Sequence, residues 1–321
     1  MKRVGVLYGG ESSERDVSVE TGEAVIKALR SRGHDVVPLR VDDDADRLLR
    51  ASAIDVAFVA LHGRHGEDGC IQGLLETLGI PYTGSGVLAS ALAMDKVKAK
   101  ELFRLHNVPT PPYYEVRGRV SDAELEERHG SFGFPVMVKP RAEGSSIGVS
   151  KVGNAGELRD AVELAQRYDD CVLVERFVRG REVHVGILNG RVLGAIEIVP
   201  KQPFFDFTAK YTLGMAEYYY PARLPPTRYQ GVLRVARRAL EVLGCEGATR
   251  VDMLVSDNEN EYVLEVNTVP GMTPTSLLPK IAAGCGIDFP ALCDEILRTA
   301  HVARTRPQRT RPRHIPAVAS A

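Results

Sequence analysis

The stretch LEVNTVPGM, residues 264–272, carries an acid and an amide two positions apart, Glu265 and Asn267. In a strand these two side chains face the same side. Upstream, GATRVDMLVS reads as a second strand, and the polar turn 257–260 makes the two an antiparallel pair. Asp252 can therefore converge with Glu265 and Asn267 across the hairpin. Oxygen ligands without His or Cys suit Mg²⁺, which keeps waters and bridges substrate phosphates. Arg250 shares a face with Asp252, and a cation beside a metal cluster is costly unless an anion joins them. The alternative is a solvated hairpin with surface charges, because cross-strand acid clusters are common.

Four further segments could carry chemistry. KPRAEGSSIGVSK, residues 139–151, is rich in Gly and Ser and flanked by Lys139 and Lys151. Backbone N–H groups of such a loop can cradle phosphate oxygens, or the loop is an ordinary hairpin turn. It is not a Walker A loop, since no GK[ST] follows and the next element is a strand. In VERFVRGREV, Glu175 ends one strand and Glu182 starts the next. Either acid could accept from an adenine amino group or ribose hydroxyls, or both are exposed turn charges. In GGESSERDVS, Gly9-Gly10 follows a strand, without GxGxxG. Glu14 could bind an ammonium, or Ser12, Ser13 and Glu14 simply cap a helix. LHGRHGEDG puts His62 at a strand end, where open α/β sheets bind ligands. His62, His65, Glu67 and Asp68 resemble metal ligands, but three glycines and no helix leave their spacing unfixed.

The elements that must hold these residues follow from periodicity. Residues 4–8, 36–41 and 55–61 read as strands, 17–32 as a helix closed by Gly33, and 70–78 as a short helix. That β-α-β-β-α order predicts a small doubly wound α/β domain over residues 1–85. Residues 86–106 give the longest helical pattern, and NVPTPPYYEV a Pro-rich connector. Then come strands at FPVMVKP and IGVSKV, a helix over 155–167 and a strand at CVLVERFV. Asn189-Gly190 joins EVHVGIL to RVLGAIEIV in a hairpin. Residues 228–243 and 288–303 read as helices. Residues 201–219 have neither period, and a loop of that length predicts a lid or a linker. Residues 304–321 have no apolar periodicity and read as a disordered tail.

Bulk properties narrow the class. The 321 residues are 44% hydrophobic and 26% charged, ordinary for a globular protein of two or three domains. The net charge is −1, yet residues 304–321 hold five Arg and no acid. The body then carries 36 basic and 42 acidic residues, a net −6 that does not suit nucleic acid. Five cysteines without CxxC argue against a disulfide framework or a zinc ribbon, and for reduced cytosolic thiols. No segment approaches the ~18 apolar residues of a membrane span. The expected location is the cytoplasm, with neither nucleic acid nor membrane as partner.

Seven motifs in order complete the reading: GGESSERDVS, ALHGRHGEDG, YTGSGVLASALAMDK, VKPRAEGSSIGVSK, AKY, RVDML and LEVNTVPGMTPTSL. Over residues 3–300 the chain resembles the D-alanine–D-alanine ligases of the ATP-grasp superfamily. The resemblance implies an α/β fold, α+β overall, in three domains, 1–85, 86–180 and 181–303, with ATP between two antiparallel-sheet-containing domains. It implies phosphorylation of one D-alanine carboxylate by ATP and attack by a second D-alanine, for peptidoglycan. For ATP it implies Lys96, Lys139, Ser145, Ser146, Glu175, Val178, Glu182 and Lys210; for two Mg²⁺, with Mn²⁺ as substitute, Asp252, Glu265 and Asn267. Glu14 would take the ammonium and His62 the carboxylate side of the first D-alanine, and Tyr211 would link to Ser145 and Glu14. Arg250 and Gly271 would form an oxyanion hole, and Ser276, Leu277 and Lys280 would take the second D-alanine. A homodimer is also implied. Phe177 stands where Trp is common, Phe205 and Phe207 where Tyr is frequent, and TVPG replaces TSPG. The competing readings are another ATP-grasp carboxylate–amine ligase, a D-alanyl–D-lactate ligase, or a nucleotide-binding module without catalysis.

Overall fold

The computed structural model describes residues 2–42, 44–201, 214–257, 260–273 and 275–302. Lys210, Tyr211, Phe205, Phe207, most of the 201–219 stretch and the 304–321 tail lie outside the described residues.

Strands β1 (Arg3–Gly9), β2 (Asp35–Val41) and β3 (Val56–Val59) form a parallel sheet in the order β2-β1-β3. Helix α1 (Arg15–Ser31) packs Val25 and Leu29 against it. The sequence reading runs directly from the second strand to the third, but α2 (Ala45–Ser52) lies between them. Parallel strands need a crossover. Helix α2 is short and mostly polar, with Leu49 its one buried residue, so its period is faint. The Asp44 side chain starts it by accepting from the Arg47 N–H at 3.2 Å. Helix α3 (Cys70–Leu78) closes this unit.

The expected long helix is two, α4 (Val87–Met94) and α5 (Lys96–Leu105). Asp95 breaks it: its backbone is extended, and its carboxylate accepts from the N–H groups of Val97 and Lys98 at 3.1 and 3.0 Å. The break makes Lys96 the first residue of a new helix. The Pro-rich connector contains a strand, β4 (Tyr113–Arg117). Helix α6 (Asp122–His129) follows, started by a Ser121/Glu124 capping box. Then come β5 (Val136–Pro140), β6 (Ser150–Val152), α7 (Ala155–Gln166) and β7 (Cys171–Arg176). These strands pair antiparallel in the order β4-β7-β5-β6, with α7 on one face.

The third sheet takes β8 (Gly180–Leu188), β9 (Arg191–Pro200), β10 (Ala216–Tyr219), β11 (Ala248–Ser256) and β12 (Glu261–Asn267) in the order β10-β9-β8-β11-β12. Asn189 and Gly190 turn the β8–β9 hairpin with φ of 54° and 72°, as a type I′ turn requires. Helices α8 (Pro226–Leu243), α4 and α5 cover one face of this sheet. Helix α9 (Leu277–Gly284), which the sequence reading lacks, joins Leu278 and Ile281 to Val4, Val6 and Leu29 of the first unit. The last helix, α10 (Phe289–Leu297), ends earlier than its pattern suggests. Among the described residues, no helix is long and apolar enough to cross a membrane.

Candidate active site

Strand pairing builds the acid cluster. In the β11–β12 register Asp252 stands opposite Glu265 and Arg250 opposite Asn267, with a bulge just after Asp252. Asp252 is 3% exposed, which removes the solvated-hairpin alternative for it. Arg250 forks onto its carboxylate, Nε to Oδ1 at 2.6 Å and Nη2 to Oδ2 at 2.8 Å. The Asn267 amide donates to Oδ2 at 3.2 Å. On the other side β8 presents His184, whose Nδ1 lies 2.9 Å from Asp252 Oδ1 and whose Nε2 lies 3.0 Å from Glu182 Oε1. Burial pushes the Asp252 carboxyl up, but Arg250 and His184 outweigh it and hold it far below the usual range. Burial likewise pulls His184 down, and Asp252 and Glu182 raise it on balance.

A cavity of about 1150 Å³ lies between the two antiparallel sheets. Lys139, Ser146, Phe177 and Val178 line one wall; Glu182, Ile198, Asp252 and Glu265 line the other. Glu175 is no exposed turn acid. It is 1% exposed and ion-paired to both Lys139 and Lys100. Burial raises its carboxyl, and the two lysines more than reverse that. Lys96 reaches the Glu265 end of this cavity, donating to the Glu143 carbonyl at 2.6 Å and lying 3.3 Å from Glu265. The loop between β5 and β6 has left-handed backbone at Ser145, Ser146 and Gly148. Lys151 covers the Phe177 ring, its Nζ 4.0 Å from the centroid.

A second cavity of about 80 Å³ meets the first at Gly144 and Glu265. Glu14 stands at the start of α1 but its side chain makes no capping bond. Instead Ser145 Oγ donates to Glu14 Oε1, while Oε2 is buried with no hydrogen-bond partner among the described residues. A side chain at Gly144 would collide with this carboxylate, which is why the loop needs glycine there. His62 Nδ1 lies 2.9 Å from Glu67 Oε1 and Nε2 lies 3.2 Å from Thr21 Oγ1. Burial pulls His62 down, and Glu67 raises it on balance. Asp68 accepts from the His65 N–H at 2.9 Å, a turn contact rather than a metal ligand set.

Arg250, Asn267, Gly271, Ser276 and Leu277 line the far side of the small cavity. Ser276 precedes α9, and its Oγ accepts from the Thr273 N–H at 3.0 Å. A Cβ at Gly271 would sit 2.8 Å from that oxygen. Lys280 lines neither cavity; it donates to the Thr275 carbonyl and rests 4.9 Å from the Tyr218 ring centroid. Lys100, His184, Thr21 and Tyr218 are the site residues that sequence reasoning missed, and Glu67, weighed there only as a metal ligand, is the partner of His62. A helical spacing of four from Lys96 marks Lys100, and the alternation Glu182, His184 marks the latter. Tyr218 and Thr21 carry no such signal.

The donor set fits a hard divalent cation in type: two carboxylates in facing register plus an amide, with Asp252 held ionised. Among the described residues no group of three or more His, Cys, Asp or Glu could hold a metal by itself.

Residues 102–298 match the family model described as D-ala D-ala ligase C-terminus, and residues 3–53 and 41–85 the one described as D-ala D-ala ligase N-terminus. The D-alanine–D-alanine ligase of Geobacter sulfurreducens is 54% identical over 302 residues, covering 94% of each chain. That of Anaeromyxobacter sp. strain Fw109-5 is 53% identical over 296 residues, covering 92% of this chain and 96% of its own. The crystal structure of the Bacillus anthracis ligase complexed with ATP superposes with a TM-score of 0.81 at 36% identity, covering 93% of this chain and 97% of that one. VanG D-Ala:D-Ser ligase from Enterococcus faecalis also gives 0.81, at 30% identity, over 93% and 99% of the two chains.

Proposed function

The chain belongs to the D-alanine–D-alanine ligase family, and from that premise we propose how its residues join two D-alanines at the expense of ATP for peptidoglycan. It is an ATP-dependent ligase with the ATP-grasp architecture. One observation carries the assignment of roles. A nucleotide-sized cavity opens at Gly144 and Glu265 into a small one, where a buried Glu14 oxygen has no partner among the described residues.

In this reading ATP lies in the large cavity, its adenine against Val178 and Glu175, its ribose at Glu182, its phosphates at Lys96, Lys139, Ser145 and Ser146. The first D-alanine places its ammonium on Glu14 and its carboxylate side near His62. That carboxylate attacks the γ-phosphorus, the bond to the β-phosphate oxygen breaks, and ADP leaves. The amine of the second D-alanine, held by Ser276 and the Leu277 N–H, then attacks the acyl carbon. Arg250 and the Gly271 N–H face the oxyanion of the tetrahedral intermediate. The C–O bond to the phosphate breaks, the nitrogen's proton leaves with it as hydrogen phosphate, and the amide remains. Asp252, Glu265 and Asn267 would hold two Mg²⁺, with Mn²⁺ as substitute. When bound, these ions would offset phosphate charge. For Lys210 on the γ-phosphate and Tyr211 beside Ser145, the support is the sequence resemblance alone. Lys280, whose ammonium now donates to the Thr275 carbonyl, would join Ser276 at the carboxylate of the second D-alanine.

Residues 1–85 then serve the first D-alanine, 86–180 the base and loop, and 181–303 the metal and acceptor, with α4 and α5 packed on the sheet of the last. The same reading gives a cytoplasmic homodimer, which sedimentation would check. The decisive experiment measures ADP release with D-alanine, L-alanine, D-lactate and D-serine, and the product mass. Release should need D-alanine and give the dipeptide. Equal release without amino acid, or a preference for D-lactate, would overturn the assignment.

A further inference from the structure

Lys100 is 1% exposed and does not line the cavity. It sits behind Glu175, on α5. Its ammonium donates to Thr110 Oγ1 at 2.5 Å and to the Pro111 carbonyl at 3.5 Å, and it is ion-paired to Glu175. Thr110 in turn donates to the Val263 carbonyl at 2.9 Å, so the lysine is anchored between two elements. Lys139 holds the same carboxylate from the front, where it lines the cavity. One buried acid thus has two lysines, one sealed in and one facing the nucleotide space.

The number of lysines matters because a buried carboxylate left without a cation is strongly destabilised. With Lys139 alone, moving that lysine to a phosphate would strand Glu175. With Lys100 behind, it does not. We propose that Lys100 is a positioning residue for the nucleotide: it stays on Glu175 as the standing counterion and so frees Lys139 to exchange the carboxylate for ATP phosphate. The inference rests on the large cavity being the ATP site. The electrostatics agree. Burial pushes the Lys100 ammonium down to about 8, Glu175 works against that, and Lys139 and Lys96 add to it. An arriving polyanion relieves this excess of positive charge.

The test is steady-state kinetics on the parent, Lys100→Met, Glu175→Gln and the double variant, with ATP and D-alanine varied separately. Lys100→Met should raise KM for ATP at least about tenfold, with KM for D-alanine moving less than about twofold. Adding Glu175→Gln removes the acid that traps Lys139. The double variant's KM for ATP should return to within about threefold of Glu175→Gln alone. A KM for ATP unmoved by Lys100→Met, or a double variant no better than Lys100→Met, overturns the proposal. If Lys100→Met does not fold, the comparison of the double variant with Glu175→Gln decides: agreement supports the proposal and disagreement overturns it. A parent that fails to release ADP with D-alanine would overturn the functional assignment instead.

Discussion

Glu175 and Asp252 stand on opposite walls of the large cavity, and each is a buried carboxylate held by two basic groups. Their partners come from different places. Asp252 takes Arg250 from two residues earlier on its own strand and His184 from the paired strand β8. Glu175 takes Lys139 from a neighbouring strand and Lys100 from helix α5 behind the sheet. Sheet register fixes the first cluster, so its geometry survives any change that leaves the ladder intact. The second depends on how a helix packs, and one of its two lysines faces open space. A register-fixed cluster suits a metal that demands near-constant ligand positions. A cluster with a movable member suits an exchange between carboxylate and phosphate.

The most severe way to break the Asp252 cluster is to remove its charge. Asp252→Asn or Glu265→Gln should cut turnover below about one thousandth of the parent's, beyond the loss typical of a single transition-state donor. Each keeps its volume, so the fold should survive; Asp252→Asn should nonetheless lower the melting temperature, because Arg250 and His184 lose their buried counter-charge, and Glu265→Gln should lower it less. Normal turnover of either variant at limiting Mg²⁺ would remove these residues from metal binding. Arg250→Ala comes next. It should lower kcat by about 10²–10³, because the oxyanion exists only in the tetrahedral state. Unchanged kcat with weakened ATP binding would make Arg250 a phosphate clamp.

Glu14→Gln probes the small cavity and should be milder. The amide keeps the bond from Ser145 but loses the charge that meets an ammonium. KM for the first D-alanine should rise about tenfold with kcat changed less. An unaltered D-alanine KM would detach Glu14 from the ammonium.

The contrast between the two clusters also explains what the sequence discloses. Asp252, Glu265 and Asn267 are readable because a strand has a fixed period and a hairpin turn sets the pairing. Glu14, His62 and Gly144 follow strand ends or loops, so motif order locates them but not their contacts. Lys100 hides in the same helical pattern as Lys96, which the motif YTGSGVLASALAMDK names, until the Asp95 break separates α4 from α5. Helix α2 hides because a crossover needs only one buried residue, Leu49, to hold. Lys280 is the converse case: its place in the last motif suggests substrate contact, while the contact on view is its ammonium's bond to the Thr275 carbonyl.

Asp294 supplies the control for the comparison, with the smallest expected effect. It too has an excess of basic partners. Arg32 donates to Oδ2 through Nε at 3.2 Å and Nη2 at 3.1 Å, and His34 Nε2 lies 2.5 Å from Oδ1. These groups line neither cavity of the site; they join the end of α1 to α10. Burial pushes the Asp294 carboxyl up, and His34 and Arg32 outweigh it and hold it below the ordinary range. A carboxyl depressed in the folded state adds stability that is complete above its unfolded value, about 3.9. That stability disappears as pH falls through the folded value. Asp294→Asn should therefore cost about 1–2 kcal/mol near neutral pH, and the gap from the parent should close below about pH 4. Its kcat and both KM values should stay at the parent's. If Asp294→Asn instead shifted KM for ATP as Lys100→Met is expected to, surplus cations on a buried acid would act through general packing, and the distinction between Glu175 and the rest would fall.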